Sequence, residues 1–225
     1  MRSHVFLASL LTVPCFIATP QGINADLTVV QSYLNTAVQV VVSDALGNSL
    51  GWGSGTIIKS DDTSIVVLTA KHVVKTPPQV KAFCHVIIGG IRSNAATTIS
   101  LHDKKDAAIL VIPHAKKEAT SPIGLMPPPL TMVVTAGFPI QNDLIVSQGL
   151  LNFRSISEPD LWLCTANIAP GNSGAGVFVK DTGELIGISI AVATYVNGFN
   201  RQLITYMHLM LPLDDIGDWV QSHIS

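Results

Sequence analysis

Charge is scarce in this chain of 225 residues: only 12% of positions are Asp, Glu, Lys or Arg, and the net charge is −2. The only basic clusters are the pairs Lys104–Lys105 and Lys116–Lys117. Tracking a phosphate backbone requires a stripe or face of cations, so no nucleic-acid partner is expected. Long apolar runs are also missing. The longest, Val5 to Ala18, falls short of the roughly 20 residues that a membrane helix needs. Cysteine is rare, with three in the whole chain. Neither Cys84 nor Cys164 has neighbours at metal-ligand spacing, and the adjacent Cys84–His85 pair would point to opposite sides of a strand. No metal and no cofactor are expected.

What is abundant is apolar side chain, 48% of the residues, which implies a sizeable core and argues against disorder. Arg2 and His4 ahead of Val5–Ala18, with Pro20 and Gly22 behind it, have the layout of a secretory signal. Ile23-Asn24-Ala25 is an acceptable cleavage site. The expectation is a signal peptide over 1–25, a mature chain over 26–225 that is secreted or periplasmic, and no membrane insertion once the signal is removed. A retained anchor is the alternative. Export would permit a Cys84–Cys164 disulfide; two buried thiols on separate strands are favoured, because the pair frames no small loop.

Short β-branched runs separated by turn signals fill the rest. Ala37–Ser43, Trp52–Ile58, Ile65–Thr69, Val80–Ile88, Thr97–Leu101 and Ala107–Ile112 precede Ser121-Pro122 and Met126-Pro127-Pro128-Pro129. Thr131–Ala136, Leu144–Ser147, Leu161–Thr165, Gly176–Val179, Leu185–Ala193 and Leu203–Leu211 follow. The proline stretch cannot join a central sheet. The pattern therefore predicts an all-β protein of two units, about 33–118 and about 125–212. Short helices are expected around Tyr33 and over Leu213–His223. In the latter, Asp214 and Asp215 suit a first turn while Leu213, Ile216 and Val220 share a face.

One run, Ala169-Pro170-Gly171-Asn172-Ser173-Gly174-Ala175-Gly176, surrounds a serine with glycine. Glycine lets other groups approach the backbone closely. A serine hydroxyl becomes a useful nucleophile only beside a base, and that base needs a carboxylate to fix its tautomer. His72 ends the apolar run Ile65–Thr69, so it is rigidly placed at a strand's mouth. His85 and His208 fall inside strand runs; His102, His114 and His223 lie in polar or terminal contexts that suggest solvated surface. Asp106 precedes the apolar Ala107–Ile112 and is favoured as the acid over Asp103, which sits between lysines in a turn.

"GWGSGTII", "LTAKHVV", "KDAAILVI" and "APGNSGAGVF" resemble, in order, the signatures of chymotrypsin-fold serine endopeptidases. The likeness is greatest to the Deg-type, high-temperature-requirement branch, and it runs from about Tyr33 to Pro212. It implies two antiparallel six-stranded β-barrels and hydrolysis of peptide bonds in protein or peptide substrates. The implied catalytic residues are His72, Asp106 and Ser173, and the Gly171 and Ser173 amides form the oxyanion hole. It also implies a first specificity pocket built from Asn167 and Ile168 and from Ser189, Ile190, Ala191, Val192 and Ala193. No carboxylate lies in those segments, so cleavage after small or aliphatic residues is expected. PDZ domains, usual after the protease in that branch, do not follow within these residues, and control through them is not expected. Asn172, before the serine, offers no charge to a new N-terminal ammonium, so trypsin-style zymogen activation is not expected either. An α/β-hydrolase would place its acid and base after a G-x-S-x-G serine, and this order is the reverse. A protease-fold binding module without turnover is the remaining alternative.

Overall fold

The computed structural model describes residues 27–225 except 142 and 198–199, so the expected signal segment lies outside the described residues. Helix α1 (Leu27–Thr36) leads into β1 (Ala37–Ser43), β2 (Ser49–Ser60) and β3 (Ser64–Thr69). A single helical turn, α2 (Lys71–Val74), follows, and then β4 (Phe83–Ile88), β5 (Ile91–Arg92), β6 (Thr98–Leu101) and β7 (Ala108–Pro113). The second unit comprises β8 (Met132–Ile140), β9 (Asp143–Arg154), β10 (Trp162–Cys164), β11 (Gly176–Val179), β12 (Leu185–Asn197) and β13 (Asn200–Pro212). A 3₁₀ turn at Leu213–Asp215 and helix α3 (Gly217–Ile224) close the chain.

The first unit is a seven-stranded antiparallel sheet in the order β5-β4-β1-β2-β3-β7-β6, and the second is a closed six-stranded barrel. The seventh strand is the two-residue β5, which pairs only with β4. Strand β4 begins at Phe83 rather than Val80. Pro77 and Pro78 cannot donate to a ladder, and Val80 N–H instead closes a turn onto the Pro77 carbonyl at 2.9 Å.

Three apolar clusters hold these elements. Val38, Val40, Val42, Ile57, Val67 and Leu110 form part of the core of the first sheet. Val133, Leu151, Val177, Ile186 and Met210 help fill the barrel. The third cluster joins the two units: Leu68, Ile109, Val134, Ala136 and Ile188 meet there, with Tyr33 of α1 and Val220 of α3 packed in. Each fully buried aliphatic side chain contributes about 1.5–3 kcal/mol, so this shared cluster fixes one unit against the other. The cleft between them thereby becomes a defined place. Cys84 and Cys164 are buried free thiols on β4 and β10, and burial pushes both up to about 11.

Candidate active site

His72 lies in α2, immediately after β3, whose buried residues Ile65 to Thr69 anchor it. Strand β7 pairs with β3 from Ser64↔Pro113 to Thr69↔Ala108, and this register sets Asp106 beside His72. The Asp106 carboxylate accepts two hydrogen bonds from that residue. The His72 backbone N–H lies 2.9 Å from Oδ1, and ring Nδ1 lies 2.6 Å from Oδ2. Burial opposes ionisation of Asp106, but the bonds from His72 outweigh it and hold the carboxyl below its ordinary value. Asp103 is exposed, and only its main-chain carbonyl faces Lys71 Nζ, at 3.5 Å. Geometry thus favours Asp106 as the partner of His72.

Ser173 lies in the turn before β11, 101 residues along the chain from His72. Its Oγ donates to the Ile190 carbonyl of β12 at 3.2 Å. The turn is clamped from both units. Ser54 N–H of β2 donates to the Ser173 carbonyl at 2.8 Å, and Gly174 N–H donates to the Ser189 carbonyl at 2.7 Å. Ser54 Oγ donates to the Gly171 carbonyl and accepts from Phe138 N–H, both at 2.8 Å. Ser54 is a site residue that sequence reasoning did not single out, although it lies within the quoted "GWGSGTII".

Two glycines are needed here. Gly171 has φ +102°, and a Cβ there would come within 2.6 Å of the Phe138 carbonyl. Gly174 has φ +85°, and a Cβ would overlap the Ser54 carbonyl and Thr69 Oγ1. Both conformations are ones that side-chain-bearing residues rarely adopt. Among the described residues, neither Gly171 N–H nor Ser173 N–H donates to a protein acceptor, whereas the intervening Asn172 N–H bonds the Ala169 carbonyl at 3.0 Å. The Asn172 side chain is buried, and its Oδ1 has no hydrogen-bond partner.

The residues assigned to the first specificity pocket are divided. Asn167 and Ala191 are exposed and Val192 is half-buried, while Ile168 and Ile190 are buried at 5% and 8% exposure. Ser189 faces the barrel interior at 0% exposure. Its Oγ lies 3.4 Å from His208 Nε2 and 3.3 Å from Thr135 Oγ1. His208 Nδ1 lies 2.9 Å from the Ala166 carbonyl. That carbonyl accepts only from N–H, so Nδ1 carries the proton and Nε2 accepts from Ser189. Burial pushes this imidazole down to about 4. The side chain of Ala193 lies outside the described residues. The other histidines are less solvated than their sequence context suggested. His102 and His223 pack edge-on against Trp219, and His114 pairs with Glu118 at 2.9 Å.

A His–Asp pair carried by one β unit, a serine turn carried by the next and a cleft between them define the chymotrypsin-like fold class. The chain belongs to the trypsin-like peptidase domain family, which matches residues 53–188. It is similar in fold to the crystal structure of the serine endoprotease from Yersinia pestis, with a TM-score of 0.68 at 23% identity. That match covers 88% of this chain and 66% of the other, so this chain spans just under two thirds of that protein's length. No curated protein sequence matches the chain.

Proposed function

We propose that this protein is a serine endopeptidase in which Ser173 attacks, His72 moves the proton and Asp106 orients His72. One observation carries this reading: His72, bonded to Asp106 at 2.6 Å, lines one cavity with Gly171 and Ser173, whose amides have no protein acceptor among the described residues. A proton held on Nδ1 by Asp106 leaves Nε2 with a lone pair, which is what a general base needs. Rotation of Ser173 about χ1 exchanges the Ile190 carbonyl for His72 Nε2 as acceptor. Oγ then attacks the carbonyl carbon of the scissile bond, and its proton passes to His72. The carbonyl oxygen becomes an oxyanion, stabilised by Gly171 N–H and Ser173 N–H. Collapse breaks the C–N bond, and His72 returns the proton to the departing amine. The remaining acyl ester is cleaved by water, which His72 deprotonates in turn.

The apolar exposure of Val192 and Ala191, together with the lack of a carboxylate among the pocket residues, supports small or aliphatic residues on the acyl side. Burying an unpaired Lys or Arg there would cost several kcal/mol. Export as a secreted or periplasmic enzyme is proposed on the signal-like layout of Arg2, His4 and Val5–Ala18; among the described residues no helix is long and apolar enough to cross a membrane.

The test is a serine-directed fluorophosphonate followed by peptide mapping. The reading requires one adduct, on Ser173, absent in Ser173→Ala. A protein that binds peptides but takes no adduct would be a binding module instead.

A further inference from the structure

A cavity of about 490 Å³ opens on the first-sheet side of Ser173, within the roughly 300–1,000 Å³ of typical ligand pockets. Its apolar lining includes Val42, Leu50, Trp52, Val73, Pro77 and Val80, and His72, Gly171 and Ser173 also line it. None of the residues expected to hold the acyl side of a substrate lines it. Lys75 is the one formally charged side chain there, and no carboxylate is present. Leu50, Trp52 and Val80 are 47%, 41% and 37% exposed, so the walls reach solvent and can be covered by a ligand.

The direction of the chemistry says which part of a substrate meets this cavity. His72 must hand its proton to the departing amine, so the departing segment leaves past His72, which lines the cavity. We infer that the cavity is a leaving-group subsite that selects a large apolar side chain, Leu, Ile or Phe, at the first or second residue after the scissile bond. Such a side chain covers the exposed faces of Leu50, Trp52 and Val80, and burial of apolar area drives binding. A lysine placed there meets apolar walls and Lys75, and is disfavoured.

This inference rests on the peptidase reading, and the experiment separates the two. The full chain is assayed on internally quenched peptides of one fixed acyl half, with Leu, Phe, Gly or Lys at each of the two positions after the bond. An acyl p-nitroanilide, which has no leaving peptide, is assayed in parallel. The expected result is kcat/KM at least tenfold higher for Leu or Phe than for Gly at one of the two positions, about 1.4 kcal/mol, with Lys lowest. Leu50→Asp should reduce the Leu-to-Gly ratio at least threefold, and Leu50→Met should keep it. Anilide turnover with no preference among the peptides would overturn the subsite and leave the peptidase standing, as would an unchanged ratio in Leu50→Asp. Turnover of neither substrate class would overturn both.

Discussion

His72 and Asp106 sit just beyond adjoining strand ends of one sheet and share a 2.6 Å hydrogen bond, whereas Ser173, on the other unit, donates a hydrogen bond from its hydroxyl to the Ile190 carbonyl at 3.2 Å. The His72–Asp106 pair is held by an in-register ladder, β3 on β7, above an aliphatic core. Ser173 is held by a turn whose main chain is pinned from both sides, while its hydroxyl bonds the Ile190 carbonyl. A ladder fixes side chains directly; a turn fixes only the backbone that carries them. In the proposed mechanism the His72–Asp106 pair is therefore preorganised, and Ser173 joins it by a change of rotamer.

The most severe way to break the comparison is to remove the mobile partner. Ser173→Ala should lower kcat by about 10⁴–10⁶ with the fold intact, measured by peptide hydrolysis and thermal unfolding. On the fixed side, Asp106→Asn should cost on the order of 10⁴ in kcat, because the amide favours the wrong imidazole tautomer. Asp103→Asn, at an exposed position, should leave the rate within about twofold of wild type. A reversed result would move the acid to Asp103.

Beneath the serine turn, the second unit buries a histidine where the first buries aliphatics, and pH exposes that contrast. His208 is neutral in the fold, with its value lowered from 6.5 to about 4. The unfolded chain therefore binds more protons between those values, and stability rises with pH across that window. Lowering the pH from 6.5 to 4 should cost on the order of 3 kcal/mol, read as a falling unfolding midpoint in denaturant. His208→Gln should flatten this slope. Asp106 acts in the same direction in a lower window: its lowered carboxyl contributes fully above its ordinary 3.8 and loses that contribution only as pH falls further, so the two windows separate.

The smallest effect expected is at the cross-unit clamp. Ser54→Ala removes a hydroxyl that bridges Phe138 N–H and the Gly171 carbonyl. Leaving those groups unsatisfied costs about 1–3 kcal/mol, and the loosened turn should lower kcat by roughly tenfold while KM changes less.

Much of this arrangement was legible in local pattern. The apolar runs placed β3 and β7, and their ends placed His72 and Asp106. The choice against Asp103 followed from its lysine-rich turn. The glycines around Ser173 announced a close approach, and the structure supplies the reason at Gly171 and Gly174. What sequence pattern did not reveal depends on register across long separations. Ser54 meets Gly171 across 117 residues, and no local periodicity encodes that pairing. The leaving-group cavity likewise gathers Val42, Leu50, Val73 and Val80 from four segments. Val80 itself read as strand, yet two prolines turn it into a cavity wall. The inward face of Ser189 was hidden for a related reason: register shifts between Ser189 and Ala191 and again between Val192 and Ala193 interrupt the alternation of β12 against β13.

The measurement that bears most directly on the account is a double-mutant comparison across the two units. Ser173→Ala, His72→Ala and the double variant are assayed for kcat on one peptide substrate, with unfolding checked for each. Groups that act as one device are grossly non-additive, so the double variant should be no slower than Ser173→Ala alone, at a loss of about 10⁴–10⁶. Losses that multiply, with each single variant retaining its own independent share of activity, would mean that the sheet-borne pair and the turn-borne serine do not work together.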